Sequence, residues 1–142
     1  MTYRFNQGPL TAAGTIPAEN RTCVLADDDG LLLSYLAAVF RTRGYDVVTA
    51  TTGEAALRLV RERLPAFVVL DVGMPDLDGY QVLWAIRQAS TTRDIPVIML
   101  TGRRGDANVL KAFDRGADDY VTKPVLPADL LGRIDRVLES KL

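Results

Sequence analysis

Two apolar rhythms alternate along this chain. Short unbroken apolar runs are bounded by turn residues, and between them apolar residues recur every three or four positions. The first rhythm reads as strands buried on both faces, the second as amphipathic helices. Cys23, Val24, Leu25 and Ala26 form β1 (residues 23–26). Leu32, Leu36, Val39 and Phe40 give α1 (residues 32–40), which Gly44 closes as a C-cap residue. Asp46 to Thr49 is β2. A capping box from Thr51 to Glu54 opens α2, lined by Ala56, Val60 and Leu64 and stopped by Pro65.

The central run is Phe67, Val68, Val69 and Leu70, β3 (residues 67–70), which leads straight into Asp71. Asp78 and Gly79 then open α3 (residues 78–86), with Leu83 and Ile86 inward and Trp84 packing beside that stripe. Pro96 to Leu100 is β4. Leu110, Phe113 and Ala117 mark α4 (residues 110–117), with Gly116 at its close. Asp119 to Thr122 is β5. Leu130, Leu131, Ile134, Val137 and Leu138 give α5 (residues 130–138). Residues 1–21 contain Gly8, Pro9, Gly14 and Pro17 without sustained periodicity and read as a flexible tail, leaving residues 22–142 as one domain. Five strands alternating with five helices predict an α/β fold, a doubly wound parallel sheet between two helical layers.

Composition narrows the chemistry. The chain has 142 residues, 48% hydrophobic, with net charge −1, so there is no electrostatic case for binding nucleic acid. No apolar run approaches the ~20 residues of a membrane helix, and no apolar h-region marks a secretory signal. Cys23 is the only cysteine, so no intrachain disulfide is possible. A buried thiol in a reducing, cytoplasmic compartment follows. The absence of histidine removes imidazole bases, Ser-His triads and His-ligated zinc together.

In a parallel sheet the residues that follow the strands share one edge, where ligands bind. Asp27 and Asp28 follow β1, Asp71 follows β3, Thr101 follows β4 and Lys123 follows β5. If β1 and β3 are neighbours, as in the order 2-1-3-4-5, three carboxylates meet. Two unit charges 4 Å apart repel by ~1 kcal/mol in water and ~4 kcal/mol at an effective dielectric near 20. A raised pKa, a cation or the lysine must offset this. An oxygen-only ligand set selects a hard divalent ion, and Mg²⁺ fits best because it completes its shell with water and phosphate. Asp29 has the least chemical role, as the cap of α1. Lys123 and Thr101 suit phosphoryl oxygens. The edge therefore reads as a phosphoryl-transfer site with an aspartate acceptor.

Four segments carry a family resemblance. They are Val24-Leu25-Ala26-Asp27-Asp28-Asp29, Val69-Leu70-Asp71-Val72-Gly73-Met74-Pro75-Asp76-Leu77-Asp78-Gly79, Pro96-Val97-Ile98-Met99-Leu100-Thr101 and Gly116-Ala117-Asp118-Asp119-Tyr120-Val121-Thr122-Lys123-Pro124. In this order and spacing they resemble the receiver domain of bacterial two-component response regulators, from about Thr22 to the C-terminus. The resemblance implies a flavodoxin-like fold. It implies that Asp71 accepts a phosphoryl group from a sensor histidine kinase or phosphotransfer protein. Asp28, Asp71 and the Gly73 carbonyl would hold Mg²⁺, for which Mn²⁺ can substitute, and Asp27 would act through a water. Lys123, in a cis peptide with Pro124, would pair with the phosphoryl oxygens. Thr101, aided by the Gly102 N–H, and Tyr120 would carry the switch to an α4-β5-α5 output face, toward an effector the sequence does not specify. Arg133 facing Asp118 or Asp119 there fits a homodimer.

Gly30, Gly73, Gly102 and Arg103 depart from the usual family pattern without removing a group the chemistry needs. Gly73 and Arg103 stand where the family controls access of water to the phosphoryl group, so they bear on its lifetime. Three rivals weigh less. An aspartyl-phosphate hydrolase would need a second Asp where Gly73 stands. A nucleotide-binding module would need glycines where Asp27, Asp28 and Asp29 stand. A phosphorylation-independent docking module would not need the complete acidic, hydroxyl and lysine set. The expected protein is a signalling switch and not a turnover enzyme.

Overall fold

The computed structural model describes residues 10–11, 14–15, 20–102 and 116–141. Its five-stranded sheet is parallel throughout, with the order β2-β1-β3-β4-β5. The strands are β1 Thr22–Ala26, β2 Asp46–Ala50, β3 Phe67–Asp71, β4 Val97–Thr101 and β5 Asp119–Thr122. Four helices are described: α1 Gly30–Thr42, α2 Gly53–Arg63, α3 Gly79–Gln88 and α5 Pro127–Ser140. The segment read as α4 lies outside the described residues, apart from Gly116, at a turn, and Ala117, which is in neither helix nor strand. Within the stretch read as a tail, Leu10–Thr11 pairs antiparallel with Gly14–Thr15.

Strand alternation builds two cores from one sheet. Val24, Ala26, Val68, Leu70, Val97 and Met99 face α2 and α3, where Val60, Leu83 and Ile86 meet them. Cys23, Leu25, Phe67, Val69, Ile98 and Leu100 face α1 and α5, where Leu36, Phe40, Leu130 and Ile134 close the layer. The central strands β3 and β4 are buried along their whole length, and for this reason they read as unbroken apolar runs. Cys23 is fully buried, and burial raises its thiol pKa, so it packs as a hydrophobe.

Helix ends are set by short polar side chains. Asp29 caps α1 through the amides of Leu31 and Leu32, as its sequence position suggested. Gly44, at φ +94°, follows the last turn of α1. A capping box between Asp78 and Gln81 starts α3. The cap of α2 is Thr52, which accepts from Ala55 N, and not Thr51. The helix begins one residue later than the Thr51–Glu54 pattern indicates, because the Glu54 amide is taken by another side chain. Trp84 also differs from expectation: it is 59% exposed, not packed. Among the described residues, no helix is long and apolar enough to cross a membrane.

Candidate functional site

The register of the sheet assembles the site. Ala26 pairs with Leu70, so Asp27 and Asp71 leave adjacent strands side by side. Thr101 pairs with Thr122, which puts Lys123 just beyond it, and the Lys123 N–H donates to the Thr101 carbonyl at 2.7 Å. Gly79 brings α3 close beneath Asp71. A Cβ there would lie 2.3 Å from the Asp71 carbonyl oxygen, so a side chain would force the helix away.

Asp27, Asp28 and Asp71 each offer a carboxylate oxygen, and the three oxygens lie within 4.8 Å of one another. Asp27 and Asp71 are buried, whereas Asp28 is exposed at the rim. Asp27 is oriented by the Asp29 amide, which donates to its Oδ1 at 2.9 Å. Lys123 Nζ lies 2.8 Å from Asp27 Oδ2 and 3.2 Å from Asp71 Oδ1, so one ammonium serves both buried carboxylates. Burial and the neighbouring Asp27 charge raise the Asp71 pKa above the ordinary carboxylate value, with Lys123 opposing them. Burial by itself would lower the Lys123 pKa, but its two aspartate partners outweigh it and the net shift is upward.

Among the described residues, one ammonium among three carboxylates leaves the cluster short of cations, and its donors are all oxygen. That set suits a hard divalent ion such as Mg²⁺. A second observation concerns the opposite side of the cleft. Thr101 is 1% exposed, and among the described residues its Oγ1 has no hydrogen-bond partner. Buried hydroxyls are nearly always paired, and this one stands at the site edge, where an oxygen ligand could pair with it.

The remaining predicted positions lie around this centre. Gly73 and Gly102 are exposed in the loops after β3 and β4, with open space where a Cβ would stand. Tyr120 is half-buried on β5, and the Lys123–Pro124 peptide is cis. Arg103 lies outside the described residues. Arg133 pairs with Asp119 at 3.2 Å and with Asp129 at 3.1 Å, both within its own chain. Asp118 is engaged elsewhere, by Arg87 and Lys141.

Residues 23–135 match the family model for the response regulator receiver domain. The chain belongs to the response-regulator receiver family. Its relatives include the transcriptional regulatory protein AfsQ1 of Streptomyces coelicolor, 41% identical over 81% of this chain and 50% of that protein. The chain thus spans about half the length of the curated relatives it matches. Among solved structures, the receiver domain of Francisella response regulator 1452 aligns at a TM-score of 0.79 with 29% identity, covering 87% of this chain and all of that one. The receiver domain of the Pseudomonas aeruginosa sensor kinase PA1611 aligns at 0.78 with 26% identity, covering 84% and 98%. Its structure has a magnesium ion coordinated in the active-site cleft.

Sequence reasoning placed the receiver residues at strand ends, where the sheet edge could be read. It missed Asp76, whose carboxylate reaches the N-terminus of another helix. It also missed the Arg87–Asp118 pair, because the partners are 31 residues apart and neither follows a strand.

Proposed function

We propose that Asp71 accepts a phosphoryl group from a phosphohistidine on a sensor histidine kinase or phosphotransfer protein. The P–N bond to the donor imidazole breaks as a P–O bond to an Asp71 carboxylate oxygen forms, and the freed imidazole takes up a proton. The observation that carries this reading is the shared ammonium of Lys123 on Asp27 and Asp71, beside the unpaired Thr101 hydroxyl. Asp28, Asp71 and the Gly73 carbonyl would hold Mg²⁺, with Asp27 acting through a water. The metal supplies charge neutralisation for the phosphoryl oxygens. Asp27 keeps Lys123 over the acceptor. Lys123 then follows the new phosphoryl oxygens, and Thr101 Oγ1 gains the partner it lacks.

That movement gives the switch its route. Thr101 and Tyr120 lie on adjacent strands, β4 and β5, and the response passes to the α4-β5-α5 face, where Arg133 sits. An effector, or a second copy of the chain, is the receiver of the signal. The protein acts once per phosphorylation and turns over no external substrate beyond its own dephosphorylation. Cytoplasmic residence belongs to the same reading.

Beryllofluoride with Mg²⁺ tests it. The wild type is expected to change its amide exchange along β4 and β5, and acetyl phosphate should add one phosphoryl group, seen by intact mass. Asp71→Asn should abolish both. A silent wild type, or an undiminished Asp71→Asn, would leave a phosphorylation-independent docking module as the better account.

A further inference from the structure

The loop between β3 and α3 is fastened to the N-terminus of α2. The Gly53 and Glu54 amides, in the first turn of α2, donate to Asp76 Oδ1 at 3.0 and 3.2 Å. The Leu77 amide donates to the same oxygen. The next amide of α2, that of Ala55, goes to Thr52. Helix N-termini leave unsatisfied N–H groups, and here a residue from a different loop supplies the acceptor. Asp76 holds this position at φ +64°, a left-handed conformation that Asp and Asn tolerate better than other side chains.

The seating is close as well as polar. A Cβ on Gly53 would lie 1.9 Å from the Leu77 carbonyl oxygen and 2.6 Å from Leu77 Cβ. The Pro75 carbonyl accepts from Gly53 N at 3.4 Å. The far end of the loop is fixed by Gly79 N donating to the Val72 carbonyl at 2.9 Å. Beneath it, α2 is anchored by the buried side chains of Ala56, Leu57 and Val60. Gly73 lies in the arch between these fixed points and is itself exposed, with open space where a Cβ would stand.

We infer that Asp76 is a positioning residue for metal binding: by pinning the β3–α3 loop to the N-terminus of α2, it holds the Gly73 carbonyl toward the acidic cluster. This rests on the proposed role of Gly73 as a ligand. Outer partners of metal ligands commonly govern affinity by ~10–100-fold, because they fix the orientation of the donor. Asp76 acts on Gly73 through three residues of backbone and belongs at the lower end of that range.

Mn²⁺ binding, counted by the electron paramagnetic resonance of the free ion, is the test. It is made on the wild-type chain and on Asp76→Gly, Asp76→Asn, Gly53→Ala and Asp28→Asn. Asp76→Gly removes the carboxylate without straining the positive φ. It should weaken Mn²⁺ binding by ~10-fold, while Asp76→Asn, which keeps an acceptor oxygen, stays within ~3-fold of the wild type. Gly53→Ala displaces the loop from the opposite side and should also weaken binding. Thermal unfolding separates this from stability, since a purely structural role would lower the melting temperature without selective loss of Mn²⁺. Wild-type affinity in Asp76→Gly, with binding lost in Asp28→Asn, would overturn the positioning role and leave the metal site standing. Equal binding in wild type and Asp28→Asn would overturn both.

Discussion

Two buried side chains of this receiver domain are held in states that suit the proposed function better than folding. Thr101 Oγ1 has no partner although the residue is 1% exposed. Leaving a buried hydroxyl unsatisfied costs about 1–3 kcal/mol. Thr101→Val replaces it with a methyl of similar size, so we expect the unphosphorylated domain to gain about 1 kcal/mol in urea unfolding. The same variant should lose the beryllofluoride response, because in the proposed switch the phosphoryl oxygen recruits that hydroxyl. Asp71 shows the same conflict in charge. Its folded-state pKa is raised by burial and by Asp27, so its contribution to stability is present in acid and lost as pH rises through the folded value. Without divalent metal, Asp71→Asn should therefore melt higher than wild type at pH 7, by roughly 2–4 °C. The gap should narrow toward pH 4, and a lower melting temperature for Asp71→Asn at pH 7 would contradict the sign. Both residues were legible in the sequence because each ends or follows a buried strand. What the sequence withheld was the lack of a partner for Thr101, which depends on every neighbour at once.

Among the described residues the strands and helices have the kinds and order the sequence predicts, and their ends follow local chemistry. Asp29, Gly44 and Asp78 punctuate helices through contacts a few residues away, which a sequence displays directly. The start of α2 departs from the Thr51–Glu54 pattern for a long-range reason: Asp76, more than twenty residues away, occupies the amides that such a box would use. Trp84 neighbours the stripe of Leu83 and Ile86, but one step around a helix is about 100°, enough to carry the indole into solvent. The end of α3 was equally opaque. Arg87 Nε and Nη2 donate to the Gly116 carbonyl at 2.9 and 2.7 Å, and Nη1 donates to the carbonyls of Arg93 and Ile95. Nη2 also meets Asp118 Oδ2 at 3.1 Å. The fork thus ties α3, the strand entry of β4 and the turn before β5 into one unit. Arg87→Ala strands these carbonyls and one partner of a largely buried ion pair, so it should cost about 2–4 kcal/mol in urea unfolding. Arg87→Lys should recover little of this, since an ammonium cannot reproduce the planar fork. Full recovery by lysine would mean that charge alone matters.

At the scale of the molecule, the sheet separates two cores that share strands but no side chains. The strand order could be anticipated because only the placement of β1 beside β3 brings Asp27 and Asp28 to Asp71. The division of the cores follows from the period of two along each strand. Ile86 on α3 is fully buried on one face, and Ile134 on α5 is 1% exposed on the other. Removing one methyl group from a buried isoleucine costs about 0.5–1.5 kcal/mol, and distant sites without shared partners add to within about 0.5 kcal/mol. Ile86→Val and Ile134→Val should therefore each destabilise the domain in urea unfolding, and the double variant should lose the sum. The reason is geometric: the sheet backbone lies between the two side chains, and its hydrogen-bonded register resists the small shifts by which one cavity could relax into the other. A coupling of 1 kcal/mol or more would show that the sheet yields. In that case the proposed switch need not run only through Thr101 and Tyr120, because packing changes under one helical layer would reach the other through the strands themselves. Additivity leaves the strand ends, where Asp71, Thr101 and Lys123 stand together, as the place where the two layers are joined.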